Sequence, residues 1–267
     1  MDTFITHFLT QISMSIGVIF LFGWLIALCN KAFYSNLGSL GTTACYVTGA
    51  IGTPVHECAH ALFCIIFGHK ITEMKLFQVG SNDGTLGYVS HSYNKKNIYH
   101  KIGNFFIGVA PIVVISAILY LLAYWLVPDM LKGITREISQ IKRVDGLDDI
   151  PDIVENMIDI CKAIFSKLDN PKWWIFILVG SFLALHMTLS GADIKGALSG
   201  LGFLLGAIAI ADVILVLIGK RAISSFTGFF VTVGGYLLGF LTLALVISLI
   251  ALGLSFILKA TLLRKRL

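Results

Sequence analysis

The sequence predicts an all-α polytopic membrane protein of about six transmembrane helices with a small membrane-associated β-hairpin. Three observations lead there. Of 267 residues, 57% are hydrophobic and only 13% are charged, whereas about a quarter of a soluble domain is charged. So few polar side chains cannot cover a surface in water, which leaves lipid as the solvent. Several apolar stretches also exceed the ~18–20 residues a helix needs to cross the hydrocarbon core. Between two of them the hydrophobic period changes from helical to alternating, which marks the hairpin.

The apolar stretches place spans at roughly 11–30, 44–67, 103–127, 173–190, 200–219 and 226–258. The last is longer than one crossing requires and is expected to tilt or to run out along the surface. Residues 1–43 hold the first helix and its loop, and the central unit is 44–200. The remaining helices and a basic tail (Lys259, Arg264, Lys265, Arg266) occupy 201–267. The first helix reads as a retained span and not a cleaved leader, because no basic segment precedes it and no small-residue cleavage site follows.

Two connections carry structure of their own. Residues 70–79 alternate, Gly80-Ser-Asn-Asp-Gly84 is a turn cluster, and Thr85 to His91 alternates again, so 70–92 is read as a β-hairpin. An isolated hairpin is marginal in water, so this one should lie against the helices or the membrane. Residues 129–172 hold nine acidic and seven basic side chains on a loose helical period. They are expected to form an amphipathic insert outside the bilayer, its charges a solvated face.

Six spans put both termini on one side, and the basic residues after the last helix make that side cytoplasmic. The expected location is therefore the cell membrane, in a multi-pass arrangement. The net charge of +5 is scattered through loops and is no footprint for nucleic acid. Of five cysteines, none with CxxC spacing, Cys29, Cys45, Cys58 and Cys64 read as apolar fillers and Cys161 lies in a polar loop. Gly196-x-x-x-Gly200, Gly202-x-x-x-Gly206 and Gly235-x-x-x-Gly239 read as helix-packing positions that can also serve self-association.

The chemistry sits in the second span, in His56-Glu57-Cys58-Ala59-His60. Two histidines at i and i+4 share one helix face, so both imidazoles can reach one zinc ion. Glu57 stands beside them, where it can take a proton from an attacking water. Histidines and a glutamate near mid-span are costly in lipid and functional as a rule. Pro54 and Gly52 loosen the helix just upstream. A catalytic zinc needs a third protein ligand. The candidates are Asp193, at the end of the fourth span, Asp212, within the fifth, and His186, within the fourth.

His56-Glu57-Cys58-Ala59-His60-Ala61 in a membrane helix, a hairpin after it, Gly103-Asn104-Phe105-Phe106-Ile107-Gly108-Val109-Ala110-Pro111 and a late aspartate resemble the site-2 protease family of intramembrane zinc proteases. The resemblance covers roughly 44–200. It implies zinc held by His56, His60 and Asp193, Glu57 as general base, and Asn104 binding the substrate carbonyl or oxyanion. It departs at Ile194, where the family usually places glycine after the aspartate. The implied activity is cleavage of a peptide bond in or near a transmembrane segment of a membrane-protein substrate. A homo-oligomer or a gating partner is also compatible. The rival readings are a non-catalytic relative that binds membrane partners and a metal transporter using the histidines in transit.

Overall fold

The computed structural model describes residues 2–81, 84–141 and 150–264, so Asn82 and Asp83 of the turn and Lys265 and Arg266 of the tail lie outside the described residues. Nine helices and one two-stranded sheet make up the described part. Helices α1 (Asp2–Ile12) and α2 (Val18–Asn36) are joined through a π-helical turn, Ser13–Gly17, into one long rod. Then come α3 (Gly41–Ile66), β1 (Lys70–Lys75), β2 (Tyr88–Ser92), α4 (Ile98–Leu126), α5 (Pro128–Ile141), α6 (Ile150–Phe165), α7 (Pro171–Ala184), α8 (Gly191–Ile218) and α9 (Lys220–Arg264).

Five helical stretches are long and apolar enough to cross a membrane: Phe4–Asn36, Gly38–Ile66, Ile98–Leu126, Gly191–Ile218 and Lys220–Thr261. The apolar exteriors fit that role. On α8, Leu198, Ile210, Val213, Ile214 and Leu217 all face outward. The protein is a helical, multi-pass membrane protein with one small sheet.

The span expected at 173–190 is corrected by the structure. Helix α7 has 14 residues, or about 21 Å, which is short of the ~30 Å core. Gly180 of α7 packs on Leu119 of α4, Gly108 of α4 meets Asp193 and Ala197 of α8, and Gly200 of α8 meets Lys101 and Phe105 of α4. The partner on α4 thus falls steadily from 119 to 101 as the chain advances through α7 and α8. Both helices run antiparallel to α4 in one direction, so they form one broken crossing and not two. The expectation of both termini on one side rested on six spans, and five candidate spans are present among the described residues.

The insert after α4 forms two amphipathic helices whose apolar stripes join the bundle's core, while its residues 142–149 lie outside the described residues. Met130, Ile134 and Ile138 of α5, and Ile160 and Ile164 of α6, are fully buried at helical spacing. Ile138 lies against Gly239 of α9, and the Trp173 indole of α7 donates to the Ile164 carbonyl at 2.7 Å. The amphipathic period was legible; what it faces is protein. Of the spaced glycines, Gly200 and Gly239 pack on neighbouring helices, while a Cβ at Gly202 or Gly206 would meet nothing.

The hairpin forms with shorter strands than the alternating runs. β1 and β2 pair antiparallel with a register shift between Ile71 and Glu73. Its entry is set by the end of α3. Gly68 at φ 69° lets the chain reverse, His69 N–H bonds back to Cys64 O at 2.8 Å and Gly68 N–H to Ile65 O at 3.1 Å. These two bonds close the helix in a Schellman motif.

A Cβ at Gly234 of α9 would collide with the Met14 backbone of the π-helical turn, whereas Gly206 faces open space. Gly234→Leu should therefore destabilise the fold by about 1–3 kcal/mol or more, read as a lowered thermal midpoint. Gly206→Leu should leave the midpoint where it was.

Candidate metal centre and the cavity around it

Helix α3 delivers His56, Glu57 and His60, and α8 delivers Asp193. His60 Nε2 lies 3.1 Å from His56 Nε2 and 3.1 Å from Asp193 Oδ1, and His56 Nε2 lies 3.6 Å from Asp193 Oδ2. These three residues can hold a metal ion, with candidate ligand atoms all within 4.8 Å of one another. The rings stand 6 and 10 residues before the end of α3 at Ile66, about 9 and 15 Å along it.

The orientation of the two rings follows from backbone chemistry. His60 Nδ1 lies 2.7 Å from the Ile107 carbonyl, and His56 Nδ1 lies 2.8 Å from the His186 carbonyl. A carbonyl can only accept, so each Nδ1 carries the hydrogen and each neutral ring turns its Nε2 lone pair inward. Both carbonyls are free for a reason. Pro111 has no N–H, so the Ile107 carbonyl four residues before it lacks its helical donor. His186 lies just past the end of α7 at Ala184, where carbonyls are no longer consumed by the helix.

Two lone pairs and a carboxylate facing one another inside a helical bundle are a poor arrangement without a cation. A tetrahedral zinc with bonds of about 2.0–2.2 Å spaces its ligand atoms about 3.3–3.6 Å apart, close to the 3.1–3.6 Å found here. The donor set, two imidazole nitrogens and a carboxylate oxygen, fits zinc with a fourth position open for water. The carbonyl partners supply the outer hydrogen bonds that fix ligand tautomers at such sites.

Asp193 is held from its own side as well. Ser190 caps α8, its hydroxyl accepting from Asp193 N–H at 3.2 Å while Asp193 Oδ2 accepts from Ser190 N–H at 2.7 Å. The expected position at the end of the fourth span is thus corrected: Asp193 opens the next helix. The pattern Ser190-Gly-Ala-Asp193 is a capping-box spacing, a signal that could have placed it from sequence.

The two other candidates for third ligand lie elsewhere. The His186 ring contacts Thr48 and Tyr34 hydroxyls through Nε2, at 2.9 and 3.3 Å, and only its carbonyl serves the site. Asp212 is fully buried and bonded to Gln11 of α1. The contributions of the Ile107 and His186 carbonyls were not anticipated, since backbone atoms leave no residue-type signature.

The ligands open on a cavity of about 600 Å³, lined also by Glu57, Asn104, Tyr88, His91 and Ser199. Glu57 and Asn104 are both buried in its wall. The hairpin roofs it, and a Cβ at Gly87 would come 2.9 Å from Glu57 Cγ, so only glycine allows this approach. Behind β2, His69 Nε2 donates to the His100 carbonyl at 2.9 Å, and His69 Nδ1 meets His91 Nδ1 at 3.0 Å. Burial holds the affinity of both rings for a proton below the usual histidine value, and at His91 the His69 ring adds to the effect.

A family model described as "Putative zincin peptidase" matches residues 49–135. The match holds most of α3, the hairpin and α4, and with them His56, Glu57, His60 and Asn104; Asp193 lies beyond it. No curated protein and no solved structure matches the chain. The match supports a zinc metallopeptidase, and zinc is the metal that the donor set and the match indicate together.

Asp193→Ala should lower zinc affinity more than 100-fold, measured by chelator competition on the purified protein. His186→Ala leaves the coordinating atoms in place and should cost at most the 10–100-fold typical of an outer hydrogen-bond partner. Equal zinc retention in both variants would count against the ligand set.

The histidine pair predicts a pH response of the roof. A folded-state proton affinity below the unfolded value of 6.5 means the unfolded chain binds more protons. Stability is then full above about pH 6.5 and falls as pH drops toward the depressed values. Amide hydrogen exchange in β1 and β2 should accelerate below that pH, after correction for intrinsic rates, and His69→Gln with His91→Gln should flatten the response.

Proposed function

We propose that this protein is an intramembrane zinc metalloprotease of the site-2 protease kind, hydrolysing a peptide bond in or near a transmembrane segment of a membrane-protein substrate. The observation that carries the proposal is the meeting of His56, His60 and Asp193 beside Glu57, in one cavity walled by membrane helices. Zinc, when bound there, supplies a Lewis acid for the scissile carbonyl and makes a water acidic enough to be deprotonated near neutral pH.

Glu57 is the base. Its carboxylate takes a proton from the attacking water as the new C–O bond forms, and returns it to the leaving nitrogen as the C–N bond breaks. Asn104, buried across the cavity on α4, presents a side-chain amide whose N–H groups can donate to the developing oxyanion.

Substrate must arrive extended, because the peptide bonds of a helix are shielded by their own hydrogen bonds. β2 pairs with β1 on one edge only, and the consecutive residues Gly87, Tyr88 and Val89 all line the cavity. The alternate positions Gly87, Val89, His91 and Tyr93 line the cavity together with Tyr88, so β2 turns one face to it, and its second edge carries no partner strand among the described residues. An extended substrate can add there as a third strand, with its carbonyls aligned toward the metal.

Glu57→Gln should retain zinc and lose cleavage by several orders of magnitude. Comparing membrane-protein fragments from cells producing the wild-type chain or this variant measures it. Identical fragment patterns, or full biological activity in the variant, would sink the protease reading in favour of a binding role.

A further inference from the structure

Far from the metal centre, four polar side chains meet among the apolar faces of α1, α8 and α9. Gln11 Nε2 donates to Asp212 Oδ1 and to Thr227 Oγ1, each at 2.9 Å, and Thr227 Oγ1 lies 3.0 Å from His7 Nδ1. Gln11 and Asp212 are fully buried and Thr227 nearly so. Asp212 follows Asp193 by 19 residues on the same helix, about 28 Å along it. The peptidase reading makes no use of these groups.

The hydrogens in this cluster can be counted. An amide nitrogen has two, and Gln11 gives one to Asp212 and one to Thr227. The Thr227 hydroxyl, having accepted from Gln11, shares a further hydrogen bond with His7 Nδ1, whose direction the His7 tautomer sets. Neither amide hydrogen of Gln11 is then left for another oxygen. Two buried oxygens remain with no donor, Gln11 Oε1 and Asp212 Oδ2. Both residues are fully buried among the helices, where an unpaired carboxylate is costly.

A single proton resolves all of this. On Asp212 Oδ2 it removes the charge and turns an acceptor into a donor. The acceptor it needs is the oxygen of the same amide whose nitrogen already meets the other carboxyl oxygen. We propose that Gln11 and Asp212 form a buried proton-binding site, an acid–amide pair that fastens α1 to α8. The titratable group facing Asp212 is His7 of α1, through Thr227, and α9 presents Thr227 to the cluster.

Infrared spectra of the purified full-length protein test the proposal directly. The wild-type chain should show a protonated-carboxyl C=O stretch near neutral pH that Asp212→Asn lacks. That variant, which keeps an N–H donor in place, should retain at least the wild-type thermal midpoint at neutral pH. As pH rises above about 4, where an unfolded aspartate releases its proton, the wild-type midpoint should fall progressively relative to the variant, because the folded chain holds a proton that the unfolded chain has lost. Spectra that do not differ would overturn the proposal. So would a wild-type midpoint that rises with added sodium or lithium at fixed pH, since a metal cation would then be the occupant. Should Asp212→Asn not accumulate, Gln11→Leu decides the matter. Loss of the amide partner should move the same stretch to higher wavenumber, and an unmoved band refutes the pair.

Discussion

Two imidazole nitrogens held 3.1 Å apart with their lone pairs facing each other are the constraint around which this protein is arranged. Helical spacing brings the rings to one face, but it does not aim them. Aiming requires acceptors behind each ring, and a regular helix has none to offer because its carbonyls are already bonded. The protein obtains two by interrupting helices at chosen points. Pro111 releases the Ile107 carbonyl within α4, and the end of α7 at Ala184 releases the His186 carbonyl.

The break between α7 and α8 serves a second purpose. A carboxylate must reach the rings at a depth where irregular backbone is tolerated only if it is buried or lines a cavity. Ending α7 early and restarting at Gly191 puts Asp193 in the first turn of a new helix, where a capping serine fixes it and free N–H groups favour negative charge. Small residues at Gly108, Ala197 and Gly200 let α4 and α8 approach closely enough for the carboxylate to arrive. On the opposite wall, glycine at position 87 lets the hairpin settle onto Glu57. The three side chains that can hold a metal, Glu57 and the β2 strand thus share one cavity although they come from three separate stretches of chain.

Much of this was legible in the residues. The i, i+4 histidines, the glutamate between them, the apolar spans and the alternating runs of the hairpin all follow from local periodicity. The number of crossings did not, because hydropathy measures the length of an apolar stretch and is blind to its direction. Two stretches separated by Leu185–Ser190 look like two spans, and only their contacts with α4 show one descending path. The amphipathic period of α5 and α6 was equally visible, yet a polar-looking insert gives no sign that its apolar stripe is buried against α9.

By itself the sequence determined that the chain lives in a membrane, which helix carries the histidines, and the short list of Asp193, Asp212 and His186 for the third ligand. Those conclusions depend on neighbours a few residues apart, where the geometry of one helix turn is enough. Only tertiary structure shows that the Asp193 carboxylate, and the side chain of neither other candidate, meets the two rings, because which helix packs against which settles what a residue more than 130 positions away can reach. It also decided that backbone carbonyls orient the rings, since every residue has a carbonyl and only packing leaves a particular one unbonded and within reach.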